Sequence, residues 1–251
     1  MTFARESYIV FNRQLRMNLR NPAWVIIGML QPVLYLLLFG PLLKPLIGRF
    51  GATNAYTFFV PGMLVQLGIF GAFFAGFSLI GEWREGVIEA ERVTPANRTA
   101  LLVGRLSRDL LQLFVQALIL VGLGYVLGMH AGAAGVVVGV LLTLLIGGAC
   151  AAASNALALT TKSEDVMAPV INMVMMPVLL LSGILLPMTI GPAWLVRASD
   201  FMPIRWVVDA VRSAFGGHFG SSQMFWGTGW AVVLFAVALW WGTATFRKEN
   251  A

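Results

Sequence analysis

The sequence has 251 residues, of which 59% are hydrophobic and 11% are charged, and its mean hydropathy is +0.83. Because about a quarter of the residues in soluble domains are charged, this composition excludes a soluble globular protein and indicates an integral membrane protein. The formal net charge of +6 does not indicate a nucleic-acid partner, since the arginines flank apolar runs, where positive residues set membrane topology.

The first 21 residues are polar and predict an amphipathic helix in the cytoplasmic membrane interface. On a helix, Arg5, Arg13, Arg16 and Arg20 fall within one arc of about 80°, and apolar residues occupy the rest. Such a helix turns its arginines toward lipid headgroups or water. The alternative is a solvated tail.

Six mostly apolar runs follow, each long enough to cross a bilayer, which requires about 20 residues per helix. The predicted spans are residues 24–46, 56–80, 106–127, 135–159, 166–187 and 227–246. We therefore predict an all-α membrane protein with six transmembrane helices in a single domain, residues 1–251. Two glycine pairs with a spacing of four, Gly124/Gly128 and Gly135/Gly139, favour close helix packing in lipid.

Six spans place both termini on the same side of the membrane. Twelve of the 17 lysines and arginines lie on that side and five on the other. Positive residues stay in the cytoplasm. We therefore predict a multi-pass membrane protein, with both termini and residues 81–109 in the cytoplasm and residues 187–226 outside.

Residues 81–109 form a charged insert that carries ten charged side chains between two apolar runs. Glu82, Glu85 and Glu89 have the spacing i, i+3, i+7, which predicts the acidic face of a short helix at the membrane surface. Thr94-Pro95 is typical of an N-cap followed by a proline at the first helical position. A second helix should therefore run from Pro95 into the third span. The alternative is a solvated loop.

The segment after the fifth span predicts a pair of short amphipathic helices, residues 188–220. Arg205, Asp209 and Arg212 have the spacing i, i+4, i+7 and lie opposite a face of three valines. Trp194 and Trp206 should lie at headgroup depth, where indoles are enriched. Together these features predict a helical hairpin that dips into the outer leaflet.

The sequence lacks the residue patterns of catalytic, metal and nucleotide sites. It contains no G-x-x-x-x-G-K-[ST] motif, and its two histidines, His130 and His218, are too few for a paired-histidine metal site. The span centres hold no carboxylate of the kind that ion-coupled transporters use. Asp109 comes closest, but it lies near the start of its helix, and a surface pair with Arg105 is the simpler interpretation. Any uphill transport would therefore need an external source of energy.

Uncharged polar residues occur within the spans and have two possible roles. They form either interhelical hydrogen bonds or a polar track along a transport pathway. These residues are Gln31, Gln66, Gln112, Gln116, Asn155 and Asn172.

Several short motifs resemble one known family over essentially the whole chain. The motifs are Glu82-x-x-Glu85-Gly86, Thr94-Pro95-Ala96-Asn97-Arg98, Gly104-Arg105, Leu186-Pro187, and Met202-Pro203 with Asp209 and Arg212. They resemble the permease subunits of type-2 ABC exporters, a group that contains daunorubicin-resistance permeases and polysaccharide exporters. The chain departs from the family at Met202, where members often have asparagine.

The resemblance implies a coupling region at residues 82–98 that docks in a groove on a separate ATPase subunit. It also implies that residues 188–220 form a re-entrant hairpin before the last span. The implied coupling residues are Glu82, Arg84, Glu85, Glu89, Thr94, Pro95 and Arg98, and the implied hairpin residues are Pro187, Pro203, Arg205, Asp209 and Arg212.

The expected function is that of a non-catalytic permease subunit of an ATP-driven exporter. We expect a homodimer, or a heterodimer with a similar permease, surrounded by membrane lipids. Two copies of a nucleotide-binding subunit would hold ATP and Mg, and this chain would hold no cofactor. The cargo would be hydrophobic or amphiphilic drugs or lipids. Candidate pathway residues are Gln31, Gln66, Phe70, Phe74, Asn172 and Met176. The alternatives are a polysaccharide or glycolipid export permease, and an ATP-independent channel or secondary transporter.

Overall fold

A computed structural model of the chain describes residues 3–20, 23–45, 48, 54–88 and 98–249, and these ranges contain helices and no strand. The predicted all-α class is confirmed. In chain order the helices are α1 Phe3–Arg20, α2 Ala23–Leu43, α3 Ala55–Phe73, α4 Ala75–Arg84, α5 Arg98–Val126, α6 Ala133–Thr161, α7 Glu164–Leu181, a 3-10 helix Met188–Ile190, α8 Ala193–Asp200, α9 Pro203–Phe215 and α10 Ser222–Glu249.

Within the described ranges, six segments are long and apolar enough to cross a membrane, as predicted. They are Ile26–Leu43, Ala55–Arg84, Ala100–Val126, Ala133–Thr161, Glu164–Leu181 and Ser222–Phe246. The second segment combines α3 and α4, which are separated only by a turn at Phe74. It therefore continues four residues beyond the predicted end at residue 80.

The fifth span ends earlier than the predicted residue 187. Helix α7 stops at Leu181, and Gly183 has a φ of +73°, which a right-handed helix cannot contain. Three apolar residues follow Gly183, so hydropathy alone continues past the real end. The helix is broken by backbone conformation inside an apolar run.

Helix α6 lies at the centre of the bundle and packs against α3, α4, α5, α9 and α10. Close packing at one predicted glycine pair is confirmed, because a Cβ at Gly135 would lie 2.1 Å from the Ala214 carbonyl oxygen and one at Gly139 would lie 2.4 Å from the Phe215 ring. In the other pair, Gly124 packs closely, but Gly128 lies in the turn after α5 with a φ of +97°. Gly128 therefore serves the turn and not a helix contact.

Helix α1 forms as predicted and packs one face against α5. Val10 and Gln14 are buried in this contact. A Cβ at Gly104 of α5 would lie 2.8 Å from the Ser7 carbonyl oxygen, so the two backbones approach closely. Arg5 and Arg16 are exposed on the opposite face of α1. The helix is thus held by protein on one side and presents these two arginines on the other.

Candidate functional site: two polar clusters at opposite ends of the bundle

Polar side chains gather at two ends of the helix bundle. The insert end comprises the end of α4, the start of α5, the α6–α7 turn and α1. The hairpin end comprises α8 and α9, the starts of α3 and α6, and the segment after α7. The predicted coupling residues that the structure describes belong to the insert end, and the predicted hairpin residues belong to the hairpin end.

The Glu82 carboxylate is the centre of a buried cluster at the insert end. Arg105 Nη2 of α5 donates to Glu82 Oε2 at 2.8 Å, the Gln14 amide of α1 donates to Glu82 Oε1, and Arg13 Nη2 lies 3.6 Å from Oε2. The side chains of Glu82 and Arg105 are 8% and 3% exposed. We call these four residues the Glu82 cluster. Because an unpaired buried charge costs several kcal/mol, the cluster fixes α1, α4 and α5 relative to one another.

The prediction of one helix with Glu82 and Glu85 on a shared acidic face is wrong. Helix α4 ends at Arg84, and Gly86 has a φ of +74°, so the chain turns where the prediction continued the helix. Glu82 points into the bundle, whereas Glu85 is exposed. The burial of Glu82 follows from partners on α1 and α5, which helical spacing within the insert does not reveal.

The exposed side of the α4 end is joined to the α6–α7 turn by an ion pair. Arg84 Nη1 lies 3.1 Å from Glu164 Oε1, and the two side chains are 54% and 40% exposed. Of the other predicted coupling residues, Glu89, Thr94 and Pro95 lie outside the described residues. Helix α5 begins at Arg98 and continues unbroken to Val126. The prediction of a helix running from the insert into the third span is confirmed for this described part.

The Asp109 side chain is only 13% exposed, so its interpretation as part of a surface pair is wrong. Its carboxylate lies 2.7 Å from Arg108 Nη2, and these side chains are 13% and 10% exposed. Arg108 also donates to Ser78 Oγ of α4 at 3.4 Å. Asp109 borders a small cavity of about 20 Å³, which is enough for one water molecule.

The Arg212 guanidinium is the centre of the cluster at the hairpin end. It donates from Nη2 to the carbonyl oxygens of Gly183 at 2.8 Å and Ile184 at 3.1 Å, and from Nε to that of Phe58 at 3.4 Å. Its Cζ also lies 4.2 Å from the centroid of the Phe58 ring. Arg212 thus joins α9 to the start of α3 and to the irregular segment that follows α7. We call Arg212 and these partners the Arg212 cluster.

A second arginine connects α9 to α8. Arg205 Nη1 donates to Ser199 Oγ at 2.6 Å, to the Val196 carbonyl oxygen at 3.1 Å, and to Asp200. Asp209 lies between the two arginines of α9, 3.7 Å from Arg205 and 3.8 Å from Arg212. The three charged residues therefore form one row of contacts along α9.

Helix α9 is enclosed by the protein on both its apolar and its charged face. The valines of α9 are fully buried, and on the charged face the side chains of Arg205 and Arg212 are each 11% exposed. Burial lowers the pKa of Arg212 to about 10, opposed by the raising effect of Asp209. Burial likewise raises the pKa of Asp209, opposed by Arg212 and Arg205. The charges of α9 satisfy one another and backbone carbonyls inside the protein.

The two predicted prolines mark element boundaries at this end. Pro187 directly precedes the 3-10 helix, and Pro203 is the first residue of α9, a position where its missing N–H costs nothing. Trp194 of α8 is 70% exposed, and Trp206 of α9 donates to the Asp200 carbonyl oxygen at 3.1 Å.

The structure does not bring the six candidate pathway residues to one surface. Gln66 is fully buried, and neither of its amide atoms has a hydrogen-bond partner among the described residues. Phe70 packs against the core. Four others are exposed on the outside of the single chain: Gln31, Phe74, Asn172 and Met176. Gln31 donates to Tyr35 Oη at 3.3 Å, and Asn172 donates to the Ala168 carbonyl oxygen at 3.0 Å.

The sequence analysis missed the α1 contribution to the insert end. Gln14 is 2% exposed, in the middle of the helix face that was assigned to the membrane interface. Its position one turn after Val10, on the side away from the arginines, was the available signal. A polar residue on the apolar face of an amphipathic helix needs a buried partner, and here the partner is Glu82.

Comparisons with known proteins agree with this architecture. The sequence model of the ABC-2 type transporter family matches residues 5–215. The chain is 29% identical over 212 residues to the daunorubicin resistance ABC transporter permease protein DrrB1 of Streptomyces coeruleorubidus, covering 83% of this chain and 72% of that protein. It is 27% identical over 214 residues to the transport permease ycf38 of Cyanophora paradoxa, covering 84% of this chain and 74% of that protein.

Proposed function

Because the chain belongs to the ABC-2 type transporter family, we propose that it is the membrane permease subunit of an ATP-driven exporter. A separate nucleotide-binding subunit supplies the energy, since this sequence contains no P-loop motif. Two such subunits hold ATP and Mg and bind at the insert end. A second permease, identical or similar, completes the membrane part of the complex.

The observation that carries this proposal is the continuity of α5 from the charged insert through the membrane. The helix runs from Arg98 to Val126 without a break, and the Glu82–Arg105 pair holds its first turns against α4. A displacement of the insert by a partner is therefore transmitted to a whole spanning helix and not absorbed by a loop. Conformational changes that pass from one part of a protein to another require rigid elements that shift as units.

The proposed function also implies an orientation of the chain in the membrane. Lysines and arginines are concentrated on the side of both termini, which is the cytoplasmic side by the positive-inside rule. ATP is cytoplasmic, so the insert end faces the ATPase, and the hairpin end faces outward from a bacterial plasma membrane.

Reversing an exposed charge in the coupling region tests the proposal. We expect Glu85→Arg to abolish stimulation of the ATPase subunit in the purified complex, because Glu85 is exposed at the start of the insert. Membrane insertion should be unchanged, as measured by the yield of monodisperse protein. The matched control is Arg197→Glu, an exposed charge reversal on α8. A wild-type chain that copurifies with no ATP-binding subunit would overturn the proposed function.

We propose that the cargo is hydrophobic or amphiphilic, of the drug or lipid class. The support is the apolar character of the exposed candidate residues, with Phe74 59% and Met176 63% exposed. Flexible methionine side chains suit ligands of varied shape. A polysaccharide pathway would need hydroxyl-binding and aromatic side chains along its length.

Transport into proteoliposomes distinguishes the cargo classes and the energy source. With the ATPase subunit present, we expect ATP-dependent movement of a fluorescent lipid and of a cationic amphiphilic dye, and no movement of a labelled oligosaccharide. Oligosaccharide movement alone would assign the polysaccharide alternative. Movement by the permease chain alone under an ion gradient would assign a channel or secondary transporter.

A further inference from the structure

We propose that α1 carries a binding site for the headgroup of one anionic phospholipid, formed by Arg13 and Arg16 and bordered by Tyr8 and Ile9. We call these four residues the α1 lipid face. A helix that merely lies at the interface would contact any phospholipid, whereas this face selects a headgroup with a net negative charge. Because Arg13 also contacts Glu82, the bound lipid helps to hold α1 at the insert end.

The contact between α1 and α5 places α1 at the level of the membrane surface. A Cβ at Gly104 would lie 2.8 Å from both the Ser7 carbonyl oxygen and the Val10 Cβ. Gly104 belongs to the first turns of the membrane-spanning segment Ala100–Val126. The first span begins at Ile26, six residues after the end of α1. Both spans that adjoin α1 therefore begin beside it, and lipid headgroups lie at the level where spans begin.

One face of α1 is buried in the protein, and the opposite face combines apolar and basic side chains. Val10 and Gln14 are 7% and 2% exposed. Ile9 and Arg16 lie on the other side, about 20° apart at 100° per residue, and Tyr8 flanks them. Tyr8 and Ile9 are 64% and 51% exposed. Apolar side chains exposed beside arginines at the membrane surface are typical of a helix face that contacts lipid.

The spacing of two arginines on this face favours an anionic ligand. Arg13 and Arg16 are three residues apart, which makes them neighbours on the helix surface. Like charges at this spacing repel each other, so an anion between them is favourable. Residues 1–21 contain four arginines and one acidic residue, Glu6. Two guanidinium groups can donate together to the oxygens of one phosphate, so a phosphate fits the pair well.

The apolar neighbours favour a phospholipid over a soluble phosphate. When the headgroup phosphate meets the two arginines, the glycerol backbone and the first acyl carbons can contact Tyr8 and Ile9. A zwitterionic headgroup carries its own cation, which offsets the phosphate charge and is repelled by the arginines. The headgroup of phosphatidylglycerol has no such cation, and basic segments at the membrane surface are attracted to anionic lipids. The site should therefore discriminate between phospholipids by headgroup charge.

Arg13 connects the α1 lipid face to the Glu82 cluster. Its side chain is 43% exposed, and its Nη2 lies 3.6 Å from Glu82 Oε2. The next residue, Gln14, donates to Glu82 Oε1. A phosphate on the exposed side of Arg13 places its guanidinium between two anions. Since a ligand that binds only the folded protein raises its stability, lipid binding should stabilise the packing of α1 on α4 and α5.

Binding of lipid to the purified chain tests the site. Phosphatidylglycerol and phosphatidylcholine with the same acyl chains are titrated in detergent, and bound lipids are counted by native mass spectrometry. We expect the wild type to bind phosphatidylglycerol at least about tenfold more tightly. Arg16→Gln should lose most of this preference, and Arg16→Lys should keep part of it, because lysine retains the charge but not the paired donors. Arg5→Gln is the matched control, since it removes the same charge from an exposed position of α1 about three turns away.

Thermal unfolding of the same variants, followed by size-exclusion chromatography, tests the effect on the packing of α1. Phosphatidylglycerol should raise the unfolding temperature of the wild type and of Arg5→Gln by about 2–4 °C and should leave Arg16→Gln unchanged. Glycerol phosphate, which has no acyl chains, should have no effect at the same concentration. An equal rise with phosphatidylcholine, with glycerol phosphate or in Arg16→Gln would overturn the anionic phospholipid site. The absence of any rise in the wild type would overturn it as well.

Discussion

The insert end and the hairpin end both bury arginines, but they satisfy them differently. At the insert end, Arg105 pairs with the side chain of Glu82, which also accepts from Gln14. At the hairpin end, Arg212 donates to three backbone carbonyl oxygens. Side-chain contacts can rearrange by rotamer changes, whereas backbone carbonyls move only with their segments. The Glu82 cluster therefore joins helices through contacts between side chains, and the Arg212 cluster joins them through contacts to the backbone.

The difference also concerns what each end leaves exposed. The insert end keeps Arg84 and Glu85 accessible beside its buried cluster, whereas α9 directs both of its arginines inward. A partner protein can bind the insert end through exposed charged side chains, whereas α9 at the hairpin end exposes few of them. This contrast agrees with the proposal that the ATPase subunit binds at the insert end.

The largest effect should come from removing the arginine that holds the hairpin end. Arg212→Ala leaves three carbonyl oxygens without their donor and Asp209 without one of its two arginine partners. Loss of one partner of a buried charge pair costs about 3–5 kcal/mol. We expect little folded protein, measured by thermal unfolding with size-exclusion detection. The control is Arg197→Ala, an exposed arginine on α8, which should leave the unfolding temperature within a few degrees of the wild type.

The next largest effect should come from removing the negative charge of Glu82 at the insert end. Glu82→Gln removes the negative charge with which Arg105 pairs at 2.8 Å, so we expect lower stability and loss of ATPase stimulation together. Charge exchange, Glu82→Arg with Arg105→Glu, keeps a pair between α4 and α5 but places the arginine beside Arg13. Partial recovery of stability is expected. Glu85→Gln, at an exposed neighbour, should leave the unfolding temperature unchanged. Full stability of Glu82→Gln would contradict the buried cluster.

Glycine substitutions compare the backbone contacts at the two ends. A Cβ at Gly135 would lie 2.1 Å from a backbone oxygen of α9, and one at Gly104 would lie 2.8 Å from a backbone oxygen of α1. We expect Gly135→Ala to destabilise the protein by about 1–3 kcal/mol and Gly104→Ala by less. Gly122→Ala in α5 meets nothing within 4 Å and is the control. Equal unfolding temperatures for all three variants would contradict the close approaches.

The helical spans were accessible from sequence because long apolar runs have few structural alternatives in a bilayer. The continuous α5 and the position of Pro203 were also accessible, since both depend on local signals. The partners of Glu82 were not, because Gln14 lies 68 residues away along the chain. The end of α7 was missed for a different reason, since Gly183 breaks the helix within an apolar run. At Glu82 the sequence lacked the tertiary contact that decides between burial and exposure, and at Gly183 it lacked the backbone conformation that ends the helix.

The smallest predicted effect is a dependence of the unfolding temperature on pH, caused by Asp209 at the hairpin end. Burial is the largest influence on Asp209 and raises its pKa, opposed by Arg212 and Arg205 and reinforced by Asp200. The folded state then binds a proton at Asp209 more readily than the unfolded state does, so this group's contribution to stability is lost as the pH rises above about 4. We therefore expect the unfolding temperature of the wild type, relative to Asp209→Asn, to fall between pH 4 and pH 7. Since the other titrating groups are common to both proteins, a difference that stays constant over this range would show that the folded protein does not favour protonated Asp209.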